Sequence, residues 1–233
     1  MRPAPIVNVV RYLLLDKITY LALPWAWAAF GFLIDLIVLQ LTPAGHPGSH
    51  RWVAGLAPVF ILAFVQGTQT VARALPFGLA LGASRRTYYL GAASLAAGLG
   101  ACFGLAIALG QVAERATGGW GMNMAYFRVP YLLSGSWYQS WLTASVAFVL
   151  LFAYGTWYGL VYRRGGVVGT VIFGAAQIAV LTLAAVLTTW AHDWAGLGRF
   201  LTAITAAGLT AILAAGAALL LTGGLATIRR LTV

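Results

Sequence analysis

The chain is nearly without acid. Asp16, Asp35, Glu114 and Asp193 are its only carboxylates in 233 residues, and charged residues of both signs make up 8% of the total, where a soluble domain carries roughly 25%. A surface so short of charge excludes an ordinary water-soluble globule. Lysine is rarer still: Lys17 stands alone, preceded by LLLD rather than by a glycine-rich turn. That excludes a nucleotide-binding P-loop, which needs a lysine after such a turn to meet the phosphates. The single cysteine, Cys102, excludes an intrachain disulfide; in an apolar run it is expected to be a packed thiol. Histidines number three; His46 and His50 are four apart, but Pro47 and Gly48 break any helix that would align them, and His192 is remote. No metal site is expected.

What is present in quantity is apolar. Hydrophobic residues reach 61% and the mean hydropathy is +0.89, values that place the chain in a bilayer. The net charge of +10 comes from arginines set singly or in pairs between apolar runs, a pattern without the basic patch that nucleic-acid binding requires. Charges inside the first apolar stretch, MRPAPIVNVVRYLLLDKITY, argue against a cleaved leader.

A helix needs about 20 apolar residues to cross roughly 30 Å of hydrocarbon. Six runs qualify: 20–41, 52–72, 88–112, 137–162, 167–190 and 200–225. They are continuous rather than alternating, so helices are expected and not barrel strands. The fold class is therefore an all-α integral membrane protein with six spans in one domain, 1–233. With a cytoplasmic N-terminus, Arg2, Arg11, Lys17, Arg73, Arg85, Arg86, Arg163, Arg164, Arg229 and Arg230 fall inside, and Arg51, Arg115, Arg128 and Arg199 outside. The positive-inside rule then puts both termini in the cytoplasm of a cell that carries the chain in its plasma membrane. Trp52, Tyr88, Tyr89, Trp137, Tyr138, Tyr162, Trp190 and Trp194 lie at run edges and read as interfacial anchors. Residues 8–19 read either as an amphipathic surface helix or as an extension of the first span.

Two connections stand out. The stretch 73–87, RALPFGLALGASRRT, combines apolar residues, Pro76, Gly78 and Gly82 with Arg73, Arg85 and Arg86, and predicts an inner bend able to present a docking surface. The outer loop 113–136 is long and rich in Trp120, Met122, Met124, Tyr126, Phe127 and Tyr131; it is expected to fold back on the outer interface, either to cap a pathway or only to anchor the chain there. Inside the runs, Asp35 is a costly intramembrane acid, and Gln66, Gln69, Thr70 and Arg73 share one helical face. These polar groups either line a pathway or bond helix to helix. Gly100xxxGly104, Gly155xxxGly159 and Gly165xxxGly169 have the spacing of close helix approach. Ser134, Ser136 and His192 suggest an intramembrane hydrolase, but no residue is placed to orient the histidine.

Taken together, TYLALPWAWAAFGFLIDL, ARALPFGLALGASRRTYYLG, QVAERATGGWG, YFRVPYLL, YGTWYGLVYRRGG and LATIRRLTV resemble the small actinobacterial permease subunits of ABC transporters of the ABC-2 type. The resemblance covers nearly the whole chain. It implies the ABC-2, type V exporter-like permease fold, and a chain that forms half of an export pathway without being an enzyme itself. It further implies two separate ATP-binding subunits that hold ATP and Mg, and a second permease, either another copy or a sister chain. On this analogy the coupling element is Leu75, Pro76, Phe77, Leu79, Leu81, Arg85 and Arg86, and Asp35, Gln66, Gln69 and Thr70 are pathway candidates. The alternative of the same size is the substrate-capturing membrane component of an ECF-type vitamin importer, which would bind its solute alone.

Overall fold

A computed structural model describes residues 5–41, 51–52, 55–129, 133 and 135–228. Nearly all of it is helix, in the order α1 (Pro5–Leu13), a π-turn (Ile18–Ala22), α2 (Leu23–Leu41), α3 (Ala57–Gln69), a second π-turn (Thr70–Ala74), α4 (Leu75–Ala80), α5 (Arg85–Ala116), α6 (Trp137–Trp190), α7 (Trp194–Ala203) and α8 (Ala206–Ile228). Four helical stretches are long and apolar enough to cross a bilayer: Ile18–Leu41, Arg85–Ala116, Trp137–Trp190 and Ala206–Ile228. The chain is thus an all-α protein of membrane type. Arg51–Trp52 (β1) pairs in parallel with Met124–Ala125 (β2), Arg51 opposite Met124.

The 54-residue α6 is two antiparallel arms. Gly166, at φ 59 and ψ −153, occupies a region open essentially to glycine alone, and there the chain doubles back. The second arm returns along the first: Tyr158 packs edge-on against Phe173 at 5.1 Å, and Tyr154 donates to Gln177 Oε1. The first arm and α5 form the centre, with Phe103, Ile107, Phe148 and Phe152 buried between them and their neighbours. Glycine sets how near the helices come. A Cβ at Gly155 would lie 2.0 Å from Phe64 O, one at Gly67 2.0 Å from Phe152 O, and one at Gly104 2.8 Å from Trp141 O. Of the three spaced pairs, the first two are contact sites; Gly165 faces no described atom within 4 Å, and its neighbour serves the turn instead.

Three expected boundaries move. The second run does not bend at Arg73: the helix continues through Pro76 to Ala80, because the wider π-turn just before Pro76 accommodates a residue without an amide hydrogen. The loop expected from 113 begins only after Ala116. The run 200–225 is split, since Ile204 is extended and Thr205 Oγ1 accepts Gly208 N–H at 3.1 Å, capping α8 and leaving Phe200–Ala203 in α7. Of residues 8–19, Ile18 and Thr19 belong to the helical stretch of the first span, but residues 8–13 do not extend it. α1 is a separate helix whose Val9 and Leu13 are buried, with Val9 against Gly91 of α5.

Successive long segments alternate in direction, so charge is sorted by end. Arg11, Lys17, Arg73, Arg85, Arg86, Arg163 and Arg164 belong to the end that carries Gly82; Arg115, Arg128 and Arg199 belong to the end that carries Tyr126. Tyr88 and Tyr89, read as interfacial anchors, are instead buried to 1% and 3% exposure. Trp137, Tyr138, Tyr162, Trp190 and Trp194 are exposed. Cys102, expected to be a packed thiol, is exposed instead. His46, His50, Pro130, Tyr131, Ser134, Arg229 and Arg230 lie outside the described residues.

Candidate functional site

At the Gly82 end two helices depart from α-helical bonding at facing positions, Ile18–Ala22 and Thr70–Ala74. A π-turn shifts the hydrogen-bond register by one residue, and such turns recur at functional sites. The shift leaves backbone carbonyls short of an amide partner, and a buried carbonyl must find another donor. Tyrosines supply it: Tyr88 OH donates to Thr70 O at 2.7 Å, and Tyr12 OH to Ala74 O at 3.3 Å.

Side chains then tie one turn to the other. Thr70 Oγ1 gives its single hydrogen to Gln66 O at 2.7 Å, so in the 2.7 Å contact between Tyr20 OH and Thr70 Oγ1 the tyrosine is the donor. Gln66 Nε2 donates to Thr19 O at 2.8 Å, while Gln66 Oε1 is buried with no hydrogen-bond partner among the described residues. Thr70, Gln66 and Tyr88 are each 1% exposed or less. The result is a small polar joint, bound across two helices and imperfectly satisfied, inside an otherwise apolar bundle. Replacing Tyr20 with Phe and Thr70 with Val, singly and together, is expected to give a coupling energy of about 0.6 kcal/mol, the mean for interhelical hydrogen bonds in membrane proteins. Reversible unfolding in mixed micelles measures it.

Beyond the joint the chain turns sharply. Gly82 sits at φ 86; its N–H bonds Leu79 O at 2.9 Å and Ala83 N–H bonds Gly78 O at 3.2 Å. That pair of bonds is a Schellman motif, whose left-handed residue is usually glycine. Ser84 then caps α5, its Oγ accepting Thr87 N–H at 3.1 Å. The expected bend 73–87 is therefore a tight connection of Leu81–Ser84 on a helical stem.

The stem divides the candidate coupling residues. Leu75 is buried and Leu79 packs against the core; Pro76 and Arg85 are half-buried, and Arg86 is exposed. Phe77 and Leu81 project outward at 66% and 75% exposure. Two clefts flank them. One of about 400 Å³ is lined by Asn8, Tyr12, Leu81, Ser84 and Tyr88 among others. The second, about 320 Å³, is lined by Leu15, Asp16, Tyr20, Gln69, Arg73 and Phe77 among others.

The four pathway candidates do not form one seam. Gln66 and Thr70 are in the joint, and Gln69 faces the second cleft. Asp35 is about 22 Å along its helix from Tyr20 of the joint, at 1.5 Å per residue, beside Gly55. Its Oδ2 is buried with no hydrogen-bond partner among the described residues.

At this second end Glu114, 0% exposed, accepts Tyr126 N–H at 2.9 Å, Phe127 N–H at 2.7 Å and Arg128 Nε at 2.7 Å. Tyr126 OH reaches Ala28 O at 2.5 Å and Gly55 O at 2.8 Å. The loop is thereby pinned back into the bundle. Glu114→Ala strands three donors at once and is expected to cost about 2 to 3 kcal/mol, seen as faster protease cleavage between Gly118 and Val129.

Tyr12, Tyr20 and Tyr88 were not picked out as candidates from the sequence. The signal was present only as tyrosines at the edges of apolar runs, where an interfacial anchor and a buried donor look alike.

Comparison with known proteins identifies no relative: no family model, no curated protein and no solved structure matches this chain.

Proposed function

We propose that this chain is the permease subunit of an ABC transporter of the ABC-2 type, an exporter lodged in the plasma membrane with both termini and the Gly82 hairpin in the cytoplasm. It crosses the bilayer six times, counting the two arms of α6 and the stem 57–80, and forms half of a translocation pathway with a second copy or a sister permease. Separate ATP-binding subunits hold ATP and Mg and supply the work. The cations gathered at the Gly82 end support this orientation.

One observation carries the reading: an exposed apolar hairpin, Phe77 and Leu81, is joined by a single turn of helix to a polar joint between two π-turns. Closure of an ATP-binding subunit against the hairpin pushes α4, and the push arrives at Thr70–Ala74. A π-turn can take up or release a residue of helical register. The joint then has a second packing, in which Tyr20 and Gln66 exchange partners and α2 moves against α3. ATP drives transport only to the extent that it favours one packing over the other. Helix shifts of this kind are about 1 to 2 Å, with larger one-turn steps of about 5.4 Å.

The test is assembly. Gently solubilised from its native membrane, the chain is expected to retain an ATP-binding subunit. Transport by the purified chain alone, without any nucleotide-hydrolysing companion, would overturn the assignment.

A further inference from the structure

The pinned loop creates a second feature at the other end of the first span. α2 and the loop enclose a cleft of about 370 Å³ lined by Trp25, Ala28, Ala29, Phe32, Leu33, Trp120, Tyr126 and Phe127, within the size range of small-molecule sites, about 300–1,000 Å³. The cleft's wall is aromatic and closely fitted: Phe32 meets Trp120 at 5.2 Å and Tyr126 at 5.1 Å, both edge-on, and Trp25 meets Phe103 at 5.3 Å. Its polar groups are turned away. Tyr126 OH is spent on Ala28 O and Gly55 O, and Trp120 Nε1 is buried with no hydrogen-bond partner among the described residues. A ligand in this cleft therefore meets hydrocarbon and ring faces only.

Depth and direction narrow the ligand further. Phe32 lies about 21 Å along the first span from Ile18, at 1.5 Å per residue, which puts the cleft within the hydrocarbon of a bilayer about 30 Å thick. The cleft opens sideways onto the outward face of α2, where Ala29, Phe30, Leu33, Ile34 and Ile37 are exposed. The loop also carries strain here. Trp120, flanked by Gly119 and Gly121 at positive φ, is itself at φ 61, a conformation that costs a bulky side chain about 1 to 2 kcal/mol. The strained residue is the one whose ring forms the cleft's upper wall.

We propose that this cleft is a binding site for a lipid acyl chain, which enters from the bilayer along α2 and seats against Trp120. The bound chain completes the packing of the re-entrant loop and offsets the strain at Trp120. This site is independent of the transport reading: it requires the bilayer, not an ATP-binding partner.

The test uses the full chain in vesicles containing a trace of phosphatidylethanolamine with a photoactivatable diazirine at mid-acyl depth. Labelled positions are mapped by mass spectrometry. Labelling is expected to concentrate on Phe32, Leu33, Trp120 and Phe127. Ala29→Phe, placed at an exposed position of the cleft wall, fills the space and is expected to reduce this labelling about tenfold, the low end for denying an apolar ligand one aromatic-sized volume. Labelling at Leu219 on the exposed face of α8 is expected to stay unchanged and to report that the variant has folded. Leu33→Trp fills the same cleft from another position and gives the same loss. Labelling distributed over exposed apolar residues in proportion to their exposure would overturn the proposal. So would cleft labelling undiminished in both filled variants.

Discussion

On the transporter reading proposed above, Phe77→Asp combined with Leu81→Asp is expected to lower the retention of an ATP-binding subunit by more than about tenfold, while leaving this chain folded. At 66% and 75% exposure neither side chain holds the bundle together, so the core loses nothing. At a docking surface the same residues are the apolar anchors, and anchors of this kind carry most of the binding energy. An aspartate there must be desolvated without a partner, at a cost of several kcal/mol, and each 1.4 kcal/mol is about a factor of ten in affinity. Leu75→Ala makes the contrast. It is buried to 1% and is expected to lower stability by about 2 to 5 kcal/mol, a packing defect visible without any partner. Retention unchanged in the double aspartate variant would remove the hairpin from the coupling role.

The second large effect belongs to the glycine seam between α3 and α6. Gly155→Ala places a methyl 2.0 Å from Phe64 O and 3.0 Å from Thr68 N, and both obstacles are backbone. Side chains can rotate away from an added methyl, but a helix carbonyl can yield only if the whole helix shifts. The expected loss is about 3 kcal/mol, at the upper end for overpacking, with Gly67→Ala alike from the other side. Gly98→Ala is the matched control, since no described atom lies within 4 Å of its Cβ position. It is expected to be neutral or to stabilise by up to about 1 kcal/mol through helix propensity. Thermal aggregation curves in detergent separate the two outcomes. Equal behaviour of Gly98→Ala and Gly155→Ala would contradict the close approach.

Much of the scaffold was legible in the apolar runs because bilayer thickness fixes a length and the backbone must satisfy itself within each segment. The first span, α5 and both arms of α6 follow those runs closely. Gly82 was legible as a turn residue because glycine acts locally, whereas Ser84, which caps α5, was not singled out. What could not be read was the register of α3. A π-turn is one extra residue in a turn, and hydropathy periodicity is too coarse to register it. Pro76 therefore looked like the start of a bend when it is the first turn of a helix. Phe200 was joined to α8 for a similar reason: the break at Ile204 lies between apolar residues and changes no hydropathy. Among the candidate site residues, Gln66 and Thr70 were found together because helical spacing places them on one face. Asp35 was added to them on polarity alone, and its distance along the helix separates it. Tyr20 and Tyr88 needed the tertiary structure, since only the facing carbonyls distinguish a buried donor from an interfacial ring.

The proposed coupling of hairpin to joint is tested most directly by a distance. With Cys102 replaced by Ser, spin labels at Leu15 and Leu81, both strongly exposed, straddle the joint and the hairpin in the reconstituted complex. Pulsed electron resonance through the nucleotide cycle is expected to show two separations differing by about 2 to 5 Å, with the ATP state favouring one. A single separation, unchanged from nucleotide-free to ATP-bound while transport continues, would contradict the entry of motion through the Gly82 hairpin.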